Sequence, residues 1–131
     1  MKTFLLASAL MLGISGFAVA QEAPKFFSET YPKHGLQSAL EARSALQSGE
    51  AALDAKTREL IGLAVAAQIP CSYCSYAHTE RARAEGATVD EIREAVAVAA
   101  QVRHWSTVLN GMQYDLEAFK SEFDEMSGTT E

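Results

Sequence analysis

The apolar positions along this chain follow helical rather than strand spacing. Alternation of Val, Ile and Thr is absent, and Ala, Leu, Glu, Gln and Arg dominate, which favours helices throughout. The pattern predicts four or five helices, the last a short one, at about 36–48, 55–68, 71–85, 88–110 and 114–126. The chain is therefore predicted to be all-α.

Capping residues and helix breakers mark the ends of these elements. Asp54 is a suitable N-cap for the second helix, and Pro70 interrupts the chain after it. Thr88 followed by Glu91 has the spacing of a capping box, which predicts where the long fourth helix begins. These signals place a helix boundary immediately before the two cysteines.

The first twenty residues, "MKTFLLASALMLGISGFAVA", combine Lys2 with an apolar run and end in small residues. This is the pattern of a secretory signal peptide. An uncleaved anchor is the competing interpretation, but the run is short for a span, which needs about 20 apolar residues. We expect cleavage after Ala20 and a periplasmic or secreted protein that is no longer attached to a membrane.

Three regions are expected after the signal peptide at 1–20. Residues 21–35 hold two prolines and a glycine, which predicts an extended arm. A helical domain is expected at 36–126 and a frayed tail at 127–131. A single domain of this length can bury an ordinary core without covalent staples.

The fourth predicted helix is apolar on nearly all sides. Such a helix should be buried on more than one side, either as a central helix or at a subunit interface. We therefore expect a homo-oligomer. The formal net charge of −6 and the absence of a basic run give no support for binding nucleic acid.

The stretch "IPCSYCSYAH" holds both cysteines, Cys71 and Cys74, together with His78. Closing so short a loop removes little entropy from the unfolded chain, so a stapling disulfide is poorly motivated. A c-type haem would need histidine where Ser75 stands. Zinc can use the three side chains with Glu59, but the spacing is unusual for zinc. Reversible disulfide chemistry needs two nearby thiols, one of them activated, and neither cofactor nor metal.

On a helix, Cys71, Cys74 and His78 share one face, within about 60° of one another. Cys71 lies at the helix start, where the dipole favours a thiolate, and His78 can act as a base toward Cys74. Glu59 lies on a strip of small residues of the preceding helix. Two interpretations are open for Glu59: a buried carboxylate paired with a histidine, or a partly exposed residue near a helix start.

Glu59, Cys71, Cys74 and His78 match the pattern E-x11-C-x-x-C-x3-H. Over about residues 51–110 the chain resembles the alkylhydroperoxidase D-like (AhpD-like) proteins of the carboxymuconolactone decarboxylase superfamily. The resemblance implies an all-α fold that assembles as trimers or hexamers. It implies that Cys74 attacks a hydroperoxide and that Cys71 resolves the product to a disulfide. Glu59 and His78 would relay the proton.

The helix-start position favours Cys71 as the attacking thiol, whereas the resemblance assigns that role to Cys74. We follow the resemblance because His78 lies closer to Cys74 along the helix. Well-studied peroxidatic members carry a histidine where this chain has Tyr73, which accepts no proton near neutral pH, so weaker turnover is expected. Those members are cytoplasmic and use a lipoyl-bearing partner, so an exported protein needs another thiol reductant.

Peroxidase-type chemistry on a hydroperoxide, in antioxidant defence, is the leading hypothesis. The alternatives are thiol–disulfide exchange with another protein, a non-catalytic or zinc-binding module of the same fold, and a decarboxylase-like enzyme acting on a small acid. The decarboxylase branch of the superfamily generally lacks the cysteine pair, which argues against the last alternative.

Three further residues, Tyr73, Ser75 and His104, are candidates for the substrate pocket. Tyr73 can instead pack against a neighbouring helix, as is expected for Tyr76. His104 lies in "RHWSTVLNG", either on a pocket wall or at a helix end, where it favours the dipole while Trp105 packs in the core.

Overall fold

The computed structural model describes residues 23–128, and the predicted signal peptide lies outside them. Six helices follow one another: α1 Lys25–Ser28, α2 Lys33–Leu46, α3 Ala55–Gln68, α4 Ser72–Ala84, α5 Val89–Gly111 and α6 Leu116–Ser127. Residues 23–128 contain no strand, so the all-α prediction is confirmed. Within this part of the chain, no helix combines the length and apolar character that crossing a bilayer requires.

The arm expected at 21–35 is helical over much of its length. Pro24 precedes α1, and Pro32 stands immediately before Lys33, the first residue of α2. The prediction of an extended arm is therefore wrong for these residues. The physical reason is that proline, which breaks a helix from inside, is well suited to the position where a helix begins.

The chain divides into two compact units, with the boundary inside α2. In the first, described here for 23–43, the Arg43 guanidinium lies 5.8 Å from the centre of the Phe27 ring. The second unit, described for 44–128, contains both cysteines and all of α3, α4 and α5.

Helix α3 is the centre of the second unit, since α4 and α5 both pack along it. The buried apolar residues are mostly small, which lets the helices approach closely: Leu63, Ala66, Ala82 and Ala99. Ala99 is the one residue of α5 that is buried in this chain. Of the two alternatives for this helix, a central position gains no support, because several of its apolar residues are exposed in the described part of the chain: Val96, Val98, Val102 and Val108.

Polar contacts tie α5 to both ends of α3. At the start of α3, the Lys56 ammonium lies 2.7 Å from the Glu91 carboxylate. At its end, Gln68 donates to the Ala99 carbonyl at 2.7 Å, and Arg103 donates to the Gln68 side chain and carbonyl at 2.7 and 3.0 Å. These contacts hold α3 in a fixed position on α5.

The predicted helix starts are found where the capping signals place them. The Asp54 carboxylate accepts from the Thr57 amide at 2.9 Å, and Thr88 and Glu91 form a reciprocal capping box. Each satisfies backbone donors that a helix start leaves without an intrahelical partner. The starts of α3 and α5 are thereby fixed by side chains that the sequence identifies.

Candidate active site

The two cysteines form a disulfide at the start of α4. Their sulfur atoms are 2.05 Å apart, and both residues are partly exposed. Cys71 is the N-cap of α4, and its Sγ accepts a hydrogen bond from the Cys74 amide at 3.2 Å. The sulfur thus takes the place that a serine or aspartate oxygen usually fills at a helix start. The pair is joined, and it is within reach of solvent.

Glu59 and His78 meet across the interface between α3 and α4. The His78 Nδ1 lies 2.6 Å from the Glu59 Oε2, and Glu59 is only 8% exposed. Of the two interpretations of Glu59, the buried and paired carboxylate is confirmed. Because an ionised carboxylate can only accept, Nδ1 carries the proton of this bond. The other ring nitrogen, Nε2, is then the one that can act as a base.

Gly62 gives the His78 ring its space. A Cβ at Gly62 would lie 2.4 Å from Cε1, 2.5 Å from Nδ1 and 2.8 Å from Nε2 of His78. Contacts below 3.0 Å are not tolerated by real side chains, so the ring and a larger residue cannot coexist here. The sequence signal for this contact is the strip of small residues on which Glu59 lies.

Arg81 supplies a positive charge beside Glu59, and it was not among the predicted site residues. Its guanidinium lies 4.0 Å from the same Oε2 that bonds to His78, and its side chain is 40% exposed. Arg81 follows His78 by three residues, which places both on one side of α4. That spacing is the signal from which Arg81 could have been found.

A cleft of about 260 Å³ opens on the Glu59 side of this interface. Its lining comes from the turn after α2, from α3 and from the end of α4: Gln47, Ala55, Arg58, Glu59, Arg81, Ala84 and Glu85. Neither cysteine belongs to this lining, so the cleft reaches the carboxylate without passing the sulfur atoms.

The cysteines are oxidised to a disulfide in this structure. Among the described residues, no direct hydrogen bond joins His78 to either sulfur atom. His78 lies one turn beyond Cys74 on α4 and is 28% exposed. The arrangement therefore places His78 and the two sulfur atoms on one face of α4, with the buried carboxylate of Glu59 bonded to His78 from α3. That combination is suited to removing a proton from a thiol.

The substrate-pocket candidates lie in different surroundings. Ser75 follows Cys74 directly and is partly exposed. Tyr73 is 88% exposed and Tyr76 is 72% exposed, so the expectation that they pack against neighbouring helices is wrong within this chain. At the helical rotation of 100° per residue, Tyr73 and Tyr76 point away from the side that carries the sulfur atoms and His78. The role of Tyr73 and Ser75 in a pocket stays a prediction.

His104 lies on an exposed part of α5. Its ring contacts the Trp105 ring edge-on, with 5.2 Å between the ring centres. Trp105 is 53% exposed, so the expectation that it packs in the core is wrong. The neighbouring Arg103 serves to hold the end of α3 through Gln68. Within 23–128, no hydrogen bond or ion pair links His104 to the cysteine pair or to Glu59, and its role in a pocket stays a prediction.

A metal site was one alternative for the cysteines. Among the side chains of residues 23–128, no group of three or more His, Cys, Asp or Glu is arranged to hold a metal ion. The two sulfur atoms bond to each other, and Nδ1 of His78 is occupied by Glu59. The zinc alternative gains no support from this geometry.

Comparison with known proteins agrees with the geometry. An uncharacterized protein 4 in the cox locus of Paracoccus denitrificans is 41% identical over 68 residues, which are 52% of this chain and 61% of that protein. The AhpD alkylhydroperoxidase core from Rhodospirillum rubrum is 38% identical, with a TM-score of 0.60 over 64% of this chain and 62% of that one.

A protein of Methanobacterium thermoautotrophicum is also similar, at 30% identity and a TM-score of 0.59, over 67% of this chain and 96% of that one. The chain thus spans less than two thirds of the length of the Paracoccus and Rhodospirillum proteins. The model of the carboxymuconolactone decarboxylase family matches residues 36–116, which covers α3, α4 and α5 completely. The chain therefore belongs to the carboxymuconolactone decarboxylase family, and its fold is that of the AhpD-like members.

Proposed function

We propose that this protein is an exported thiol-dependent peroxidase-type oxidoreductase of the AhpD-like kind, acting in antioxidant defence. The observation that carries the proposal is the cysteine pair at the start of the helix whose His78 is bonded to the buried Glu59. A disulfide that served only as a staple would need neither a base nor a buried carboxylate beside it. A thiol that must be deprotonated needs both.

The first step begins with the pair reduced. The His78 Nε2 takes the proton of the Cys74 thiol, and the Glu59 carboxylate stabilises the imidazolium that forms. The thiolate attacks the terminal oxygen of a hydroperoxide, a sulfur–oxygen bond forms and the oxygen–oxygen bond breaks. The leaving alkoxide takes the proton back from His78 and departs as an alcohol. Cys74 is left as a sulfenic acid.

The second step closes the disulfide. The Cys71 sulfur attacks the Cys74 sulfur, the sulfur–oxygen bond breaks, and water leaves with the proton of the Cys71 thiol. An external dithiol then supplies two electrons, is itself oxidised to a disulfide, and returns both cysteines to thiols. The cysteines lie three residues apart at a partly exposed helix start, which suits both the closure and the approach of a reductant.

Export and assembly form part of the proposal. The signal-peptide pattern favours a periplasmic or secreted protein, which requires a thiol reductant from the same compartment. The apolar side chains between α3 and α5 favour a homo-oligomer, a trimer or a hexamer. They form one continuous open groove: Leu60, Ile61, Ala64, Val65, Ala95, Val98, Ala99 and Val102. Apolar surface of this extent is usually covered by another chain.

Thiol–disulfide exchange with a protein substrate is the second candidate. It is favoured by the exposed Tyr73, which stands where peroxidatic relatives carry a histidine, and by the access to both sulfur atoms. The same relay would serve it, because exchange also begins with a thiolate. The two candidates differ in the oxidant: a hydroperoxide in one and another protein's disulfide in the other.

The test uses the mature protein with Cys71→Ser and Cys74→Ser as a matched pair. On addition of cumene hydroperoxide, Cys71→Ser should accumulate a sulfenic acid that dimedone traps at Cys74, whereas Cys74→Ser should not react at comparable rates. Mass spectrometry of the adduct gives the site. If neither variant is trapped, while the wild-type protein oxidises a dithiol peptide or reduces its disulfide, protein disulfide exchange replaces the peroxidase assignment.

A further inference from the structure

We propose that Gly62 is a positioning residue of the relay, and that it acts only through His78. The inference rests on the proposed function, because the relay is part of that proposal. The contact between Gly62 and His78 is independent of any reaction with peroxide. Gly62 lies one turn after Glu59 on α3, so one helix supplies both the hydrogen-bond partner of the ring and the surface on which the ring lies.

The nearest part of His78 to Gly62 is the edge formed by Nδ1, Cε1 and Nε2, the three atoms that a Cβ would approach to between 2.4 and 2.8 Å. This edge carries both nitrogens, one bonded to Glu59 and one left to act as a base. A methyl group at Gly62 would therefore push directly against the functional edge of the ring.

The helices cannot easily separate to make room. Ala66 lies one turn after Gly62 on α3 and is 1% exposed, and Ala82 lies one turn after His78 on α4 and is 0% exposed, so small buried residues close the contact between the two helices near this point. Opening that contact would leave a void between well-packed residues, which is costly. The His78 ring, at 28% exposure, can instead swing outward. The ring is therefore the part that yields.

Such a movement breaks the hydrogen bond of 2.6 Å between Nδ1 and Glu59. Without that bond the ring loses both its fixed tautomer and its fixed orientation. A displacement of about 1 Å in a reacting group can cost roughly 10²-fold in rate. Gly62→Ala should thus resemble the loss of His78 itself, although Gly62 carries no side chain and performs no chemistry.

The experiment measures the alkylation rate of the reduced protein by iodoacetamide against pH, which requires no peroxide. Gly62→Ala is expected to lower the rate near neutral pH by about 10²-fold. Gly111→Ala is the matched control, because it is also helical and a Cβ there meets nothing within 4 Å. It should alkylate at the wild-type rate.

A double-mutant cycle shows whether Gly62 acts through His78. In the His78→Ala background, adding Gly62→Ala should cause no further loss of alkylation rate, because no ring remains to be displaced. If Gly62→Ala alone does not fold, Gly62→Ala with His78→Ala should fold, since the second change removes the clash. The ring signal of His78 in a ¹H–¹⁵N spectrum should also change in Gly62→Ala.

Three results would overturn the proposal. The first is a wild-type alkylation rate together with an unchanged His78 signal in Gly62→Ala. The second is an equal loss of alkylation rate from Gly62→Ala in the presence and absence of His78. The third is failure of both Gly62→Ala and the double variant with His78→Ala to fold. Failure of the peroxidase assignment would be recognised separately, as fast alkylation of a wild-type protein that does not consume hydroperoxide.

Discussion

Glu59 and His78, nineteen residues apart in the chain, are joined by a hydrogen bond of 2.6 Å between the central helix of the second unit and one of the two helices packed on it. The bond crosses from α3 to α4, and contacts at both ends of α3 fix the helix that carries Glu59. The carboxylate is thus presented to the imidazole by a rigid frame.

The carboxylate at Glu59 should determine which nitrogen of His78 is the base. Glu59→Gln keeps the size of the side chain, but its amide can donate to Nδ1 and thereby place the ring proton on Nε2. We expect the alkylation rate of the reduced protein at pH 7 to fall by about 10²-fold, the lower end of the general-base range. Glu94→Gln, an exposed carboxyl on α5, is the control and should react normally. A normal rate in Glu59→Gln would show that the relay does not depend on the carboxylate.

Arg81 should favour the thiolate through its charge. Arg81→Gln removes a cation from the surroundings of Glu59, and loss of a nearby positive charge disfavours every anionic form around it. We expect the pH of half-maximal alkylation to rise by roughly half a unit, since the side chain is 40% exposed and the interaction is screened. Arg81→Lys keeps the positive charge, so its pH of half-maximal alkylation should stay close to the wild-type value. A shift to lower pH, or an equal shift in both variants, would contradict a charge effect.

The Lys56–Glu91 ion pair should give the fold a pH dependence of known sign. The hydrogen bond from Lys56, followed by those from the Thr88 backbone and side chain, lowers the pKa of Glu91 from its ordinary 4.5 to about 2. A lowered pKa stabilises the folded protein above pH 4.5, and the benefit is lost as the pH falls toward 2. Lys56→Met should therefore lower Tm at pH 7, and the difference from wild type should shrink between pH 4.5 and 2.

The stabilisation of the fold by the Lys56–Glu91 ion pair should also be lost at high pH. Glu91 raises the pKa of Lys56 above its ordinary 10.5, so this part of the stabilisation is present below 10.5 and is lost above the raised value. Thermal denaturation of both proteins across the pH range gives the comparison. A Tm difference that stays constant from pH 7 to pH 2 would show that Lys56→Met acts through packing and not through charge.

The open groove between α3 and α5 should be covered by another copy of the chain. Val102→Glu places a charge in that groove, and burying an unpaired carboxylate is costly. We expect the dissociation constant of the oligomer to rise at least tenfold, measured by light scattering after size exclusion. Val89→Glu is the matched control, because Val89 lies at the start of α5, away from the groove, where an acidic residue suits the helix dipole. Equal assembly of both variants would place the interface elsewhere.

Much of the site could be predicted from the sequence because helical spacing is regular. Cys71, Cys74 and His78 lie on one face of any helix that begins after Pro70, and Glu59 lies on a strip of small residues. Those two facts require only local geometry. Whether Glu59 is buried against a histidine depends on the packing of α3 on α4, which no local pattern contains, so that question was open.

Apart from the helices found within the arm expected at 21–35, the errors concern burial. Trp105, Tyr73 and Tyr76 have the apolar character of core residues, yet they are exposed in this chain. Hydrophobic patterning records that a face is apolar, but not whether the same chain or a second one covers it. Gly62 and Arg81 were not predicted as parts of the site for a related reason, because a missing side chain and a surface arginine carry no chemical motif of their own.

A thiol titration in the presence of a hydroperoxide tests the redox assignment most directly. The mature protein is fully reduced, freed of reductant and mixed with one equivalent of cumene hydroperoxide. Free thiols are then counted within seconds and again after fresh dithiol. We expect two thiols before the peroxide, none after it, and two again on re-reduction. Thiols that persist in the presence of the hydroperoxide would contradict a peroxidase at Cys74 and Cys71.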